Sequence, residues 1–389
     1  MKLHYTIFLF FSFLFCEAQK FHGGIVVDHE DKEPLEFVNI FNEEYGTISN
    51  ADGKYAFFSS KDSVIFYRVG YDKLETTVNK LADTVFLKKS VFELSEVVVT
   101  NARSMWQKFK DSVQSNYKIA PYKERFFLRC VLRRNDSIVR MQDMVGKLKR
   151  KTLFYPEPLE PDKNDFEIEL TNMRKVGIAT DENNVYFIFP SFYETLLDFV
   201  RINHTGKDFE LEELQLPDAT KSRLNFKAID SKKIWRNEGH YIINNLDNAI
   251  LSLEGNTTSD GAPFNQNRWL RYRTLQNKKN IYFEQSSSAN LYFLKSAKNF
   301  VVVETIDKDK TFKTFFTVEI IMTTFDNFGN FEVKSNINEQ KDMFKLNYPY
   351  DETFWNSQNQ LLLTDEMTAF IEKMGKENKE FKVRGNIID

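Results

Sequence analysis

The strongest constraint on the fold lies between Gly23 and Thr100. There, short runs of β-branched and aromatic residues are broken by turn residues at roughly eight- to twelve-residue intervals. That rhythm is too short for helices and predicts a small antiparallel β-sandwich. The turn Ser49-Asn50-Ala51-Asp52-Gly53 fixes its register. Asn and Asp side chains fold back on their own backbone, and glycine accepts the positive φ that closes a hairpin. Beyond the turn, Tyr55 and Phe57 stand two apart and therefore share a face. A calcium ion at Asp52 is the other reading of this turn. The spacing lacks the further acidic positions and closing glutamate of a calcium loop, so a plain turn is expected.

Four segments follow in order: Lys32-Glu33-Pro34-Leu35-Glu36-Phe37-Val38-Asn39-Ile40, Gly46-Thr47 through Asp52-Gly53-Lys54-Tyr55, Val64-Ile65-Phe66 into Val69-Gly70-Tyr71, and Leu94-Ser95-Glu96-Val97-Val98-Val99-Thr100. Together they resemble the carboxypeptidase-regulatory-like domain, a transthyretin-like seven-strand sandwich. That domain is often found at the N-terminus of TonB-dependent receptors and related envelope proteins of Gram-negative bacteria. The resemblance implies a domain type and brings no catalytic residues with it. The sandwich closes its turn pattern by Thr100, so it is expected to fold by itself.

Met1 to Gln19 has the pattern of a cleaved secretory signal. Lys2 and His4 precede the apolar run Ile7 to Phe15, and Cys16-Glu17-Ala18-Gln19 follows. The apolar run is far below the ~20 residues of a spanning helix. Leu14 and Phe15 stand where a lipoprotein signal needs a small residue, so cleavage near Ala18 or Gln19 is expected rather than lipidation of Cys16. Export to the periplasm or the periplasmic face of the outer membrane follows as an expectation. The expected organisation is a signal over 1–19, a sandwich over 20–100, a linker helix over 101–121 and a second domain over 122–389.

The chain has 2 cysteines, Cys16 and Cys130, and the first leaves with the signal. Cys130 lies in the apolar run Phe126 to Leu132 and reads as a small buried hydrophobe. The 53 basic and 56 acidic residues nearly cancel, to a formal charge of −3. No bulk attraction to nucleic acid is implied. With 38 Phe and 16 Tyr against 14 Gly and 9 Pro, the composition fits aromatic-filled sheets, not disorder.

Past Thr100 the period changes. Met105, Trp106, Phe109 and Val113 predict an amphipathic helix over Ala102 to Asn116, ended before Pro121 and read as a hinge. Strands are expected over Tyr122 to Arg134, Ser137 to Leu148 and Asp165 to Arg174. Glu167 and Glu169 alternate with Phe166, Ile168 and Leu170, the mark of a wet strand face rather than an acid–base pair. The basic run Lys147-Leu148-Lys149-Arg150-Lys151 reads as a solvated edge strand rather than a phosphate or headgroup site. A proline-rich connection over Pro156 to Asp162 and a helix over Ser191 to Asn203 come next.

The later strands are expected over Asn225 to Ile229, Tyr241 to Leu246, Ala249 to Glu254, Trp269 to Leu275, Lys279 to Gln285, Leu291 to Leu294, Phe300 to Thr305 and Phe312 to Thr324. A last helix is built on Met367, Phe370, Ile371 and Met374, with Asp365 at its start and Gly375 at its stop. The fold class is thus mainly β: a sandwich, then a larger curved antiparallel sheet with a few helices.

The remainder carries a second resemblance. Asn116-Tyr117 with Pro121-Tyr122, Phe126-Phe127-Leu128-Arg129, and Phe354-Trp355-Asn356 into Leu361-Leu362-Leu363 are similar to a region that follows the same regulatory-like domain in uncharacterised envelope proteins. Gly239 to Ile243, then Asn248 to Leu253, is similar to lipoprotein-sorting-protein folds. Those are curved sheets wrapped about a helix, forming an incomplete barrel. In longer relatives an outer-membrane barrel follows, and the sequence to Asp389 carries none. No transmembrane segment is therefore expected after signal cleavage.

Chemistry-bearing motifs are sparse. No glycine-rich nucleotide loop or nucleophile elbow occurs. His22, His29, His204 and His240 are isolated, without the His-x-x-Glu of a zinc carboxypeptidase. Ser115 to Lys118 fits Ser-x-x-Lys but lacks the companion motifs. No catalytic residue, cofactor or metal ligand is assigned. The leading expectation is a non-enzymatic envelope protein that binds another protein or aids assembly at the outer membrane. A carrier of a lipid, acyl chain or other apolar ligand is the second reading, and a hydrolase with dispersed active-site residues the third. An open Phe-lined cavity favours the carrier, a filled interior with exposed apolar patches the binding module, and converging titratable groups in a cleft the enzyme.

Overall fold

The computed structural model describes residues 20–90, 102–156, 159–177, 188–202, 208–216, 219–229, 235–259, 261–268, 270–286, 288–307, 313–325 and 327–376. The chain divides into two compact units, Met1–Ser90 with Gln358–Thr364, and Val91–Ser357 with Asp365–Asp389.

The first unit holds seven short strands: β1 (Lys20–Asp28), β2 (Asn39–Phe41), β3 (Gly46–Ile48), β4 (Lys54–Ser59), β5 (Ser63–Tyr67), β6 (Leu74–Thr77) and β7 (Thr84–Leu87). They form two sheets, ordered β4-β1-β7 and β3-β2-β5-β6. Val26, Ile40, Tyr55, Phe57, Phe66 and Leu87 meet in one buried cluster. One pair departs from the antiparallel expectation, since β7 runs parallel to β1. The cause is a crossover: the chain leaves β6 in one sheet, passes a 3-10 turn at Val78–Lys80 and enters the other.

The turn before β4 closes as the sequence predicts, with a change of roles. Asn50 Oδ1 accepts from the backbone N–H of Asp52 at 3.0 Å and of Lys54 at 2.9 Å, so Asn50 is the residue that folds back. Gly53 has φ of +73°, and a Cβ there would lie 2.5 Å from the Val26 carbonyl oxygen. Only glycine fits.

This unit is not made from its own stretch of sequence alone. The Ile48 N–H donates to the Gln360 carbonyl at 3.3 Å, Thr47 Oγ1 to the same oxygen at 2.8 Å, and Asn50 Nδ2 to the Leu363 carbonyl at 3.0 Å. Leu361 is buried. The expectation of a sandwich complete by Thr100 is corrected here. The short strand β3 leaves edge groups unpaired, and residues 358–364 satisfy them.

The second unit is one 11-stranded antiparallel sheet. Its strands are β8 (Tyr122–Arg134), β9 (Ser137–Arg150), β10 (Phe166–Gly177), β11 (Phe209–Gln215), β12 (Lys221–Ala228), β13 (Trp235–Asn244), β14 (Ile250–Ser259), β15 (Asn265–Gln266), β16 (Leu270–Gln285), β17 (Tyr292–Asp307) and β18 (Lys313–Phe325). The order is β10-β9-β8-β18-β17-β16-β14-β13-β12-β11, with β15 on β16, and the end strands β10 and β11 do not pair, so the sheet stays open. Strands β16 and β17 are each 16 residues long, where the sequence suggested two short strands apiece. Their polar middles stay extended because both neighbours supply ladder partners. Register shifts at Thr274/Gln276 and Tyr282/Phe283 mark β-bulges, which bend and twist a sheet locally.

Among the described residues, four helices accompany the sheet: α1 (Ala102–Asn116), α2 (Phe192–Val200), α3 (Glu352–Ser357) and α4 (Asp365–Lys376). The last runs one residue past the expected stop at Gly375. Met105, Trp106, Phe109 and Val113 of α1 are buried in the cluster that also contains the sheet's apolar residues. The helix read as a hinge is therefore a core element of this unit.

The basic run in β9 also needs correction. β9 lies between β8 and β10 and is not an edge. Lys147 pairs with Glu169 at 3.0 Å, Lys149 with Glu167, Lys151 with Asp165 at 3.0 Å, and buried Arg150 with buried Glu124 at 2.6 Å. Each cation finds its acid on a neighbouring strand or the loop leading to one, which a scan along the chain does not reveal.

Candidate functional site

Helix α2 begins where the sequence allows it to. Ser191 Oγ accepts from the Glu194 N–H at 3.2 Å and Glu194 Oε2 accepts from the Ser191 N–H at 2.8 Å, a capping box that satisfies two end groups at once. Phe192, Thr195, Leu196, Phe199 and Val200 form its buried face. Near its far end Lys279 Nζ of β16 donates to Asp198 Oδ1 at 2.7 Å, and Asn299 Nδ2 of β17 donates to Asp198 Oδ2 at 2.9 Å. Both ends of the helix are thus pinned.

Between those anchors, a cavity of about 680 Å³ remains between α2 and strands β16 to β18. Val301, Val318 and Ile320 supply an apolar wall, and Ile188, Phe189 and Leu197 line the helix side. Ile188 is 63% exposed. Three lining residues carry a buried polar atom with no hydrogen-bond partner: Thr195 Oγ1, Asn277 Oδ1 and Asn299 Oδ1. Leaving such an atom unpaired costs about 1–3 kcal/mol. The volume of the cavity lies within the roughly 300–1,000 Å³ of small-molecule sites.

A second hollow, of about 930 Å³, is polar and crosses β11 to β14 and β16. Glu212, Asn225, His240, Glu254 and Asn280 sit directly opposite one another along one row. Glu210, Lys227, Glu238, Asn256 and Lys278 make the next. Arg223 Nη2 lies 3.3 Å from His240 Nδ1. The guanidinium can only donate, so Nδ1 accepts and the ring is neutral. Burial, then the Arg223 charge, pushes the His240 pKa down to about 4.

Two buried ion clusters brace β8 to β10. Arg129 Nε and Nη2 donate to Asp143 at 2.8 and 2.9 Å, and Arg174 Nε and Nη2 at 2.8 and 2.6 Å. Burial alone would raise the Asp143 carboxyl, but two guanidiniums outweigh it and hold the group below its usual range. Glu124 has one guanidinium, and there burial wins and raises the carboxyl. Both clusters read as braces, since each acid is answered by a neighbouring strand.

The first unit, with seven strands in two sheets and a glycine-closed turn, has the anatomy of a transthyretin-like sandwich. Residues 22–99 match the model of the CarboxypepD_reg-like domain family. This regulatory-like domain is a non-catalytic domain type. No curated protein matches the chain. Among solved structures, the chain is similar to that titled "Lipid-protein interactions in lipovitellin", at 9% identity and a TM-score of 0.24, over 63% of this chain and 29% of that one. It is also similar to a chain of the MucA/MucB complex of Pseudomonas aeruginosa, at 10% identity and a TM-score of 0.17, over 58% of this chain and 94% of that one. The chain thus spans less than a third of the lipovitellin chain.

Within the regulatory-like domain, His22 Nδ1 lies 3.1 Å from the Tyr55 hydroxyl and His29 sits edge-on to Phe86. Both are structural contacts. In the second unit, Cys130 is buried and burial pushes its thiol well up, away from reactivity. Ser115 Oγ donates to the Ser112 carbonyl at 2.8 Å, an ordinary bond within α1. Glu167 and Glu169 are paired with lysines, as above. Among the described residues no three of His, Cys, Asp and Glu come together to hold a metal, and no helix is long and apolar enough to cross a membrane. His204, Met1 to Gln19 and Leu94 to Thr100 lie outside the described residues. The site that sequence reasoning missed is the cavity under α2. Its polar residues are unremarkable one by one and 82 positions separate Thr195 from Asn277.

Proposed function

We propose that the protein is a non-enzymatic binding protein of the cell envelope whose second unit holds an apolar ligand in the cavity under α2. The cavity carries this reading, with an apolar wall and a size suited to a small molecule. The non-catalytic regulatory-like domain and the secretory pattern of Met1 to Gln19 support the rest. Native mass spectrometry of the full chain purified from its own envelope tests it. The expected result is a bound small-molecule mass that disappears on organic extraction. A bare chain that also fails to take up an apolar fluorescent probe would overturn it. For export, N-terminal sequencing of the mature protein should begin near Gln19 or Lys20, and retention of Met1 or a lipid on Cys16 would contradict it.

The polar hollow across β11 to β14 and β16 favours a second reading, a protein partner. Along one of its rows, Glu210-Lys227-Glu238, the charges alternate in sign, a pattern that gives specificity in pairing rather than bulk attraction. A stoichiometric protein in the same mass spectra would favour that reading.

A further inference from the structure

Of the nine large apolar side chains exposed among the described residues, four stand at one end of the second unit's sheet. Ile229 is 50% exposed, Trp235 42%, Phe315 41% and Tyr272 39%. Strand β13 starts at Trp235, β16 at Leu270 and β18 at Lys313, and Ile229 follows the last residue of β12. Neighbouring strands are antiparallel, so these termini come out on the same side of the sheet. Trp235 shares a face with buried Tyr241, while Phe315 points away from the face of buried Phe316. The four thus belong to the rim of the sheet and not to one of its faces.

Basic groups are interleaved with them. Arg236 follows Trp235, Arg271 precedes Tyr272, and both are exposed. Lys313 stands two before Phe315, on the same face. Buried Glu304 is bonded by Arg273 at 2.6 Å and by Lys313 at 3.2 Å, so that trio keeps one positive charge. Arg134 and exposed Arg268 add to it, against Asp136, Asp208 and Asp307. The described rim therefore carries a surplus of positive charge. A protein interface concentrates its apolar groups in a core depleted of charge. Here the apolar groups are strung along strand ends with cations between them, which suits a surface that admits side chains one by one. Trp and Tyr settle at the headgroup level of a bilayer, and basic groups beside them gain from anionic lipid.

We propose that this rim rests on the surface of a membrane that contains anionic lipid, with Ile229, Trp235, Tyr272 and Phe315 at headgroup depth and the arginines on lipid phosphates. None of these residues lines the cavity under α2, so the proposal stands apart from the ligand reading. Co-sedimentation of the full chain with vesicles tests it, using phosphatidylcholine alone and phosphatidylcholine mixed with phosphatidylglycerol. Binding should be at least about tenfold tighter to the anionic vesicles and should fall away in about 0.5 M salt. Trp235→Ser should weaken it severalfold, and Arg236→Glu with Arg271→Glu should abolish the preference for anionic lipid. Leu246→Ser removes a side chain 81% exposed at the opposite end of the sheet and should change nothing. No sedimentation with either vesicle would overturn the proposal, as would binding that ignores lipid charge and salt. Equal weakening by Leu246→Ser and Trp235→Ser would overturn it too. A protein captured through Trp235 while vesicles stay unbound would assign the rim to protein docking instead.

Discussion

Helices α1 and α2 both bury an apolar face in the second unit, and they leave opposite results behind. Around α1 the interior is filled by aromatic rings. Tyr117 meets Phe154 edge-on at 4.7 Å, with Phe109, Phe283 and Tyr292 each within 6.3 Å of it. The Tyr117 hydroxyl donates to the Ile250 carbonyl at 2.8 Å. Around α2 a cavity persists, with three buried polar atoms unpaired. One region is filled by packed rings, although Trp106 Nε1 on α1 is itself buried without a partner, and the other keeps an unfilled space. The contrast lies in the packing: rings fill the space beside α1, and a hollow remains beside α2.

Substitutions can break or sharpen that contrast. The largest effect belongs to the filled region: Phe109→Ala should cost about 3–5 kcal/mol in chemical denaturation, as for other buried aromatics cut to alanine. A loss below about 1 kcal/mol would mean that the rings around α1 are loosely packed. Tyr117→Phe comes next, at about 1–3 kcal/mol, because it removes a buried hydrogen bond to the Ile250 carbonyl. In the cavity, Val318→Leu should change stability by less than about 1 kcal/mol, since the added methylene has room, and should weaken uptake of an apolar probe. A cost of about 1–3 kcal/mol, the usual penalty of overpacking, would show that no usable space exists. Smallest of all, Thr195→Val should leave the melting temperature of the ligand-free protein unchanged or slightly raised. It removes an unpaired hydroxyl, whereas Tyr117→Phe removes a paired one.

What could be read from the sequence follows the range of the interactions. The turn at Gly53 was legible because its cause is local: a positive φ and an Asx side chain within five residues. The apolar side of α1 was legible because helical periodicity is local too. The basic run in β9 was misread because the acids that answer it stand on β10, on β8 and at Asp165. The two longest strands were read as four because solvated polar residues hide the continuity that neighbouring strands impose. The cavity was illegible for a stronger reason. An unpaired atom has no sequence signal, since pairing is decided by what the fold brings near it.

Residues 358–364 place a condition on how the molecule is made. A ribosome delivers β1 to β7 early, yet the groups on Thr47, Ile48 and Asn50 meet their acceptors only after Leu363 has emerged. The regulatory-like domain is thus translated well before the segment that finishes it. A nascent chain halted anywhere between β7 and Gln358 carries this edge uncovered and open to whatever extended strand it meets. Synthesis of residues 358–364 is itself the event that withdraws that edge from view.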